Sequence, residues 1–192
     1  MSYVLYGSKT SPYVRKLQIL MENLPYEFRE VDIYDQHREL FKQVNPIQQI
    51  PVLIDDDQTI WDSRQIFNYL NMRYRFQNMD WHDENLLSVI DGLLTAGVNL
   101  VLLRKSGLDI NSSNMFFERQ RDKIESILDY LKPYINGSAL QEWNFHSISL
   151  YCFLDWALFR EIISLEHRPE CRDFLNQHAE RTIVKETQLP RG

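Results

Sequence analysis

Residues 45–70 read N-P-I-Q-Q-I-P-V-L-I-D-D-D-Q-T-I-W-D-S-R-Q-I-F-N-Y-L, and the order of signals in this stretch decides the architecture. The apolar run that follows Pro51 predicts a buried strand over 51–54. A proline is tolerated at a strand start, where its missing N–H removes little from the ladder. The acidic D-D-D-Q predicts a hairpin turn, and 59–61 a second strand. Asp62 and Ser63 then open a helix. Both are residue types whose side-chain oxygen accepts an orphan N–H at a helix start. Ile66, Phe67, Tyr69 and Leu70 fall on the buried side of that helix.

Working outward, Y-V-L-Y at 3–6 is a short apolar run that predicts a strand, broken by Gly7-Ser8. T-S-P-Y-V-R-K at 10–16 leads into a helical stripe of Val14, Leu17, Ile19, Leu20 and Leu24, predicting a helix over 12–23. The alternation in 26–33 predicts another strand, and 36–44 a short helix or turn. The order is β-α-β-α-β-β-α. Strand signals stop near Trp81. Helices are predicted over 85–105, from Ser112-Ser113 to Tyr134 with a stop at Asn136-Gly137, over 145–165 and over 168–180. The tail after Arg181 reads as partly mobile. A β/α half followed by a helical half implies two subdomains joined through 73–83. The aromatic stripe Tyr151, Phe153, Trp156 and Phe159 reads as core.

With 192 residues, 44% of them hydrophobic and 12% aromatic, the chain can bury a sizeable core. A net charge of −6 without a basic run speaks against binding a phosphate backbone, so no nucleic-acid partner is expected. Cys152 and Cys171 have neither redox nor zinc spacing. The five histidines show no metal-binding pattern, so no metal site is expected. The start M-S-Y-V-L-Y-G lacks the form of a signal peptide. No apolar run is expected to approach the roughly 18 residues of a membrane span. These features predict a soluble, reducing, cytoplasmic setting.

Three stretches carry chemistry. Ser11 and Pro12 are good N-cap and N1 residues. The same helix start offers free N–H donors and a positive dipole end to an anion. A hydroxyl there can lower the pKa of a bound thiol, as helix starts do for protein cysteines. Ser11-Pro12-Tyr13-Val14 is the frame of a Cys-Pro-Tyr-Cys disulfide-exchange site with both sulfurs missing, so its sulfur would come from a ligand. Ile50–Pro51 is either a trans bond at a strand start or a cis bond that turns the Ile50 N–H and C=O toward an extended peptide. Asp62-Ser63 is either an ordinary cap or a head-group site, with the carboxylate taking an ammonium and the Ser63 hydroxyl and N–H taking a carboxylate.

Together these stretches resemble the cytosolic glutathione S-transferases over the whole chain. N-P-I-Q-Q-I-P-V-L and D-S-R-Q-I-F-N-Y-L are similar to that family's N-P-x-x-x-x-P-x-L and [ED]-S-x-x-I-x-x-Y-L, and T-S-P-Y-V-R-K looks like the start of a bacterial subgroup. The resemblance implies a thioredoxin-like glutathione-binding domain over 1–76 and an all-helical domain over 84–192, with Ile50–Pro51 cis. It implies that the Ile50 backbone, next to Pro51, pairs with the cysteinyl part of glutathione. Asp62 and Ser63 would hold the γ-glutamyl end, and Gln49 would lie near the glycyl carboxylate. Ser11 or Thr10 would face the thiol, with Ser11 preferred; Tyr6 and Tyr13 fit packing or the electrophile site.

The implied reaction adds the glutathione thiolate to a hydrophobic electrophile. It uses glutathione as co-substrate, no other cofactor and no metal, in a homodimer. Loss of catalysis in favour of a protein–protein scaffold is the alternative. Glutathione-dependent reduction ranks last, because Ser11 carries no sulfur for a mixed disulfide. Asp91 reads as a solvated or structural residue and 100–104 as core, although in the family this helix lines the cleft. One departure stands out. The family's Ser/Thr-x-x-Asp capping box has Leu150 where the Asp would sit, which leaves Ser147 as a cap without its reciprocal partner.

Overall fold

The computed structural model describes residues 3–35 and 37–190. Contacts divide the chain into two compact units, Met1–Asn78 with Thr182–Gly192, and Met79–Arg181.

In the first unit, β1 (Tyr3–Gly7) runs parallel to β2 (Tyr26–Glu30) and antiparallel to β3 (Val52–Asp55), which pairs in turn with β4 (Gln58–Trp61). The sheet order is β2-β1-β3-β4. The period of two sorts the side chains by face. Leu5 and Leu53, paired in register, are fully buried on one face. Tyr6, Val52 and Trp61 lie on the other, in a cluster with Val31 and Phe41. Three helices complete the unit's β-α-β-α-β-β-α order: α1 (Pro12–Leu20), α2 (Arg38–Val44) and α3 (Ser63–Tyr74). Gln36, expected to begin α2, lies outside the described residues.

Two boundaries differ from expectation for a plain reason. The strand expected over 26–33 stops at Glu30, because Glu30 pairs with Gly7 and β1 ends there. The Val31 N–H makes one last bond to the Gly7 carbonyl at 2.9 Å, and the chain then leaves the sheet. Pro51 precedes its strand rather than starting it.

Gly7 is where α1 meets the sheet. A Cβ placed on it would lie 2.5 and 2.6 Å from the two methyl carbons of Val14, which is fully buried. The absence of a side chain at Gly7 therefore lets the first turn of α1 rest on the end of β1. Gly7→Ala is expected to destabilise the protein by about 1–3 kcal/mol, as overpacking against a stiff β-branched neighbour does. A denaturant titration checks this; an unchanged midpoint would show that the turn shifts freely.

The second unit contains α4 (Trp81–Lys105), α5 (Met115–Asn136), α6 (Ser138–Gln141), α7 (Phe145–Phe159) and α8 (Pro169–Ala179). α4 starts four residues before the expected 85. Asp80 and Asp83 form a reciprocal capping box that adds the extra turn, with Asp83 N–H to Asp80 Oδ1 at 2.9 Å and Asp80 N–H to Asp83 Oδ2 at 3.2 Å. Against expectation, α4 is long and apolar enough to cross a membrane, with an 18-residue window of mean hydropathy 2.0. Half of that window is buried within the protein, and the helix packs on α5 and α7 as a core element. α5 starts at Met115, not at Ser112, because Asn114 is the cap, accepting from the Phe116 N–H at 2.9 Å. Of the aromatic stripe, Tyr151, Phe153 and Trp156 are buried and Phe159 partly so.

The missing half of the capping box before α7 is a misregistration. The N-cap is Asn144, and Ser147 sits at N3. Asn144 Oδ1 accepts from the Ser147 N–H at 3.2 Å, and Ser147 Oγ accepts from the Asn144 N–H at 2.9 Å. Both halves are present, with Asn as cap and Ser as the returning residue, so Leu150 leaves nothing unfilled.

The tail is also ordered differently from expectation. Thr182–Glu186 forms α9 and belongs to the first unit rather than to a helical domain ending at 192. Arg15 of α1, 1% exposed, holds it. Its Nη2 donates to the Val184 carbonyl at 3.2 Å and its Nε to Thr187 Oγ1 at 3.4 Å. Val184 and Leu189 are buried beside this contact.

Candidate functional site

The sheet register brings the three chemistry-bearing stretches to one end. Tyr6, Val52 and Trp61 stand opposite one another across β1, β3 and β4. One step beyond that row lie Gly7, Pro51 and Asp62. The chain leaving β1 toward Ser11, the chain entering β3 through Ile50, and the chain leaving β4 into Ser63 therefore share an edge, with the N-termini of α1 and α3 both opening there.

At the start of α1, Ser11 is the N-cap. It is extended at φ −91° and ψ 123°, and its Oγ accepts from the Val14 N–H at 3.4 Å. That contact uses a lone pair and leaves the Ser11 hydroxyl proton available to a ligand. Thr10 Oγ1 lies 3.1 Å from Ser8 Oγ, which also accepts the Thr10 N–H at 3.3 Å. Ser8 was not singled out in the sequence, yet it ties down Thr10 twice and its carbonyl accepts the Ser11 N–H at 3.0 Å. The signal available was S-x-T-S ahead of a proline, a local hydroxyl-to-backbone turn. Tyr6 is not part of this cluster: its hydroxyl accepts from Arg29 Nη1 at 2.8 Å. Tyr13 stands near the buried Lys16, whose Nζ is 5.5 Å from its ring centre.

The Ile50–Pro51 bond is cis. Among the described residues nothing hydrogen-bonds the Ile50 N–H or C=O. The loop before it is folded by Asn45, a fully buried residue whose role the sequence reading also missed. Asn45 Nδ2 donates to the Gln49 carbonyl at 2.6 Å, and its Oδ1 accepts from the Ile47 N–H at 3.1 Å. Gln49 is left with its side chain exposed beside Ile50.

At the start of α3, Asp62 has φ 70° and ψ 135°. A non-glycine residue held there costs of order 1–3 kcal/mol, and such outliers collect at functional sites. One Asp62 oxygen caps the helix, accepting from the Arg64 N–H at 2.8 Å and the Gln65 N–H at 3.3 Å. The other is uncommitted among the described residues, and the side chain is exposed. Ser63 is 4% exposed, and its hydroxyl has no partner among the described residues. A first-turn N–H and a free hydroxyl thus stand beside a carboxylate, complementary to a group bearing both an ammonium and a carboxylate. The far end of α3 is fixed by Asp55, buried at 3%, which accepts from Tyr69 Oη at 2.6 Å and pairs with Arg73. Burial, reinforced by the Asp55 acceptor, pushes the Tyr69 hydroxyl up to about 12, so this anchor keeps its proton near neutrality.

No group of three or more metal-ligating side chains occurs among the described residues. Cys152 and Cys171 form no disulfide and are fully buried in the helical unit. Burial, with the Glu170 charge second, pushes the Cys171 thiol up to about 11, the opposite of an activated cysteine.

Comparison with known proteins bears on the family and the fold. The family model for the glutathione S-transferase N-terminal domain matches residues 5–78. The chain is 30% identical over 171 residues to the uncharacterized GST-like protein YibF of Escherichia coli (strain K12), covering 82% of this chain and 83% of that one. Over 66 residues it is 38% identical to glutathione S-transferase theta-1 of Homo sapiens, covering 33% of this chain and 27% of that one. Among solved structures, a glutathione transferase family member from Pseudomonas fluorescens Pf-5 with bound glutathione superposes with TM-score 0.82 at 23% identity, covering 98% of this chain and all of that one. A glutathione S-transferase from Methylobacillus flagellatus KT with GSH bound gives TM-score 0.82 at 22% identity, with 96% and 98% covered. These two likenesses establish the fold.

Proposed function

The chain belongs to the glutathione S-transferase family, and on that premise we propose that it binds reduced glutathione, holds the thiol as a thiolate and transfers it to a hydrophobic electrophile. The observation that carries this is the start of α3. Asp62 is held at positive φ, and the buried Ser63 beside it has an unused hydroxyl. That pair takes the α-ammonium and α-carboxylate of the γ-glutamyl end. The Ile50 N–H and C=O, adjoining the cis bond, pair with the cysteinyl backbone, and Gln49 stands toward the glycyl carboxylate. The thiol then lies over the start of α1.

There the helix N–H groups and a hydroxyl from Ser11 or Thr10 stabilise the thiolate as its proton goes to solvent. The sulfur lone pair forms the new S–C bond, and the electrophile loses its leaving group or takes up a proton. Ser11 donates a hydrogen bond and forms no covalent bond. The gain comes from a lowered thiol pKa and from holding two reactants together. A cytoplasmic setting and a homodimer complete the reading.

The test is calorimetric titration of the protein with reduced glutathione, followed by thiolate absorption in the ultraviolet across a pH series. Saturable binding with a thiol pKa below that of free glutathione is expected. A folded protein that binds no glutathione would overturn the reading in favour of a scaffold using the fold alone.

A further inference from the structure

Ser8 builds the single turn that joins β1 to α1. Its carbonyl accepts the Ser11 N–H at 3.0 Å and closes the turn over Lys9 and Thr10. Its hydroxyl oxygen accepts the Thr10 N–H at 3.3 Å and lies 3.1 Å from Thr10 Oγ1. Ser8 is therefore bonded to both residues proposed to face the thiol. The turn is anchored at each end. Before it, Gly7 lies against Val14 with no room for a Cβ. After it, the Ser11 carbonyl accepts the Arg15 N–H at 3.0 Å. Lys9, inside the turn, is exposed and pairs with Glu30 at 3.2 Å. Ser8, Thr10 and Ser11 are each partly exposed, so a ligand can reach these hydroxyls.

A serine or threonine hydroxyl has one proton to give and two lone pairs to offer. Ser8 Oγ spends one lone pair on the Thr10 N–H. Its contact with Thr10 Oγ1 then has two possible directions. If Thr10 donates, both Ser8 lone pairs are filled and the Thr10 proton is spent inside the turn. If Ser8 donates, Thr10 keeps its proton for a third atom, and the bond it receives polarises its own O–H and strengthens what it gives. An anion beside Thr10 selects the second direction, because that one turns a proton toward the negative charge there.

We infer that Ser8 is a positioning residue for the bound thiolate: its hydroxyl donates to Thr10 Oγ1 and so holds the Thr10 proton toward the glutathione sulfur. This rests on the glutathione reading above and deepens it, giving Thr10 a hydrogen bond to the sulfur in addition to any from Ser11. No proton is transferred along the pair. Only the directions of two O–H bonds are set, and Ser8 acts on the sulfur through Thr10 alone.

The experiment reads the thiol pKa of bound glutathione by ultraviolet absorption in the native chain, in Ser8→Ala, in Thr10→Val, in the two combined and in Ser8→Thr. Thr10→Val is expected to raise the pKa by about 1 unit, the worth of one hydrogen bond. Ser8→Ala is expected to raise it by about half a unit, since the Thr10 donor remains but is no longer aimed or polarised. The combined variant should match Thr10→Val, because a residue acting through another has no effect once that other is gone. Ser8→Thr, which keeps the hydroxyl, should restore the native value. An unchanged pKa in Ser8→Ala, or a Ser8→Ala shift that persists in full in the Thr10→Val background, overturns the inference and leaves Ser8 as a turn residue. A larger shift in Ser8→Ala than in Thr10→Val overturns it as well, by placing Ser8 itself on the sulfur. In each of these cases the native chain still binds glutathione with a lowered pKa. A native chain that binds none overturns the proposed function and this inference together. Should Ser8→Ala fail to fold, Ser8→Gly, free to take any turn geometry, replaces it.

Discussion

Asp62→Asn is expected to weaken reduced glutathione by at least about tenfold while leaving thermal stability close to that of the native protein. The native side chain has two roles that this change separates. One oxygen caps α3 through the N–H groups of Arg64 and Gln65. The asparagine carbonyl keeps that cap, and asparagine tolerates positive φ better than most residues. In the proposed reading the second oxygen takes the ligand ammonium, and in asparagine it becomes an amide donor. Hydrogen bonds to charged groups contribute about 1.5–3 kcal/mol, and each 1.4 kcal/mol is tenfold in affinity. Ser63→Ala removes the uncommitted hydroxyl and is expected to cost a similar factor, and the pair together at least about a hundredfold.

Asp62→Gly sharpens the test. Glycine accepts φ 70° without strain and loses only a few tenths of a kcal/mol as a cap. It should therefore stay folded and bind as poorly as the Asn variant. Calorimetry beside a thermal melt checks all three. Native-like affinity in Asp62→Asn and Ser63→Ala would leave the two residues as helix caps and nothing more.

The second large effect is on the thiol. Replacing Thr10 by Val and Ser11 by Ala together is expected to raise the pKa of bound glutathione thiol by about 1–2 units, the worth of one lost hydrogen bond to a thiolate. The sign follows directly. The hydroxyl stabilises the charged form, so its removal favours the protonated thiol and moves thiolate formation to higher pH. Conjugation at neutral pH should fall about tenfold per unit and recover as pH rises above the variant's pKa. A merely damaged fold would not recover. The single variants assign the role, since Ser11 keeps a proton free beyond its cap contact while Thr10 shares its hydroxyl with Ser8. An unchanged thiol pKa in the double variant would leave catalysis to the helix N–H groups alone.

Some of this was written locally in the chain. Short apolar runs and one alternating stretch, set between turn residues, gave the four strands in order. Stripes of helical period gave the long helices, and Ser11, Asp62 and Ser63 announced helix starts and, with them, the proposed ligand edge. These signals are legible because each depends on neighbours within a turn or a strand's length. Tertiary structure decided the rest, for identifiable reasons. Several polar side chains compete for the same orphan N–H groups, and packing selected Asn144 over Ser147, Asn114 over Ser112, and Asp80 ahead of residue 85. The end of β2 was set by its partner, since a strand needs a ladder and β1 stops at Gly7. The tail became α9 because the buried Arg15 needs acceptors, and it finds one at Val184, 169 residues away. No local pattern encodes that distance, nor the shared edge that places the ends of β1 and β4 beside the start of β3. The sequence by itself determined the elements and the residue types at the proposed ligand edge. Only the folded chain decided which polar groups are satisfied internally and which are left unpaired, because that accounting closes only when every partner is in place.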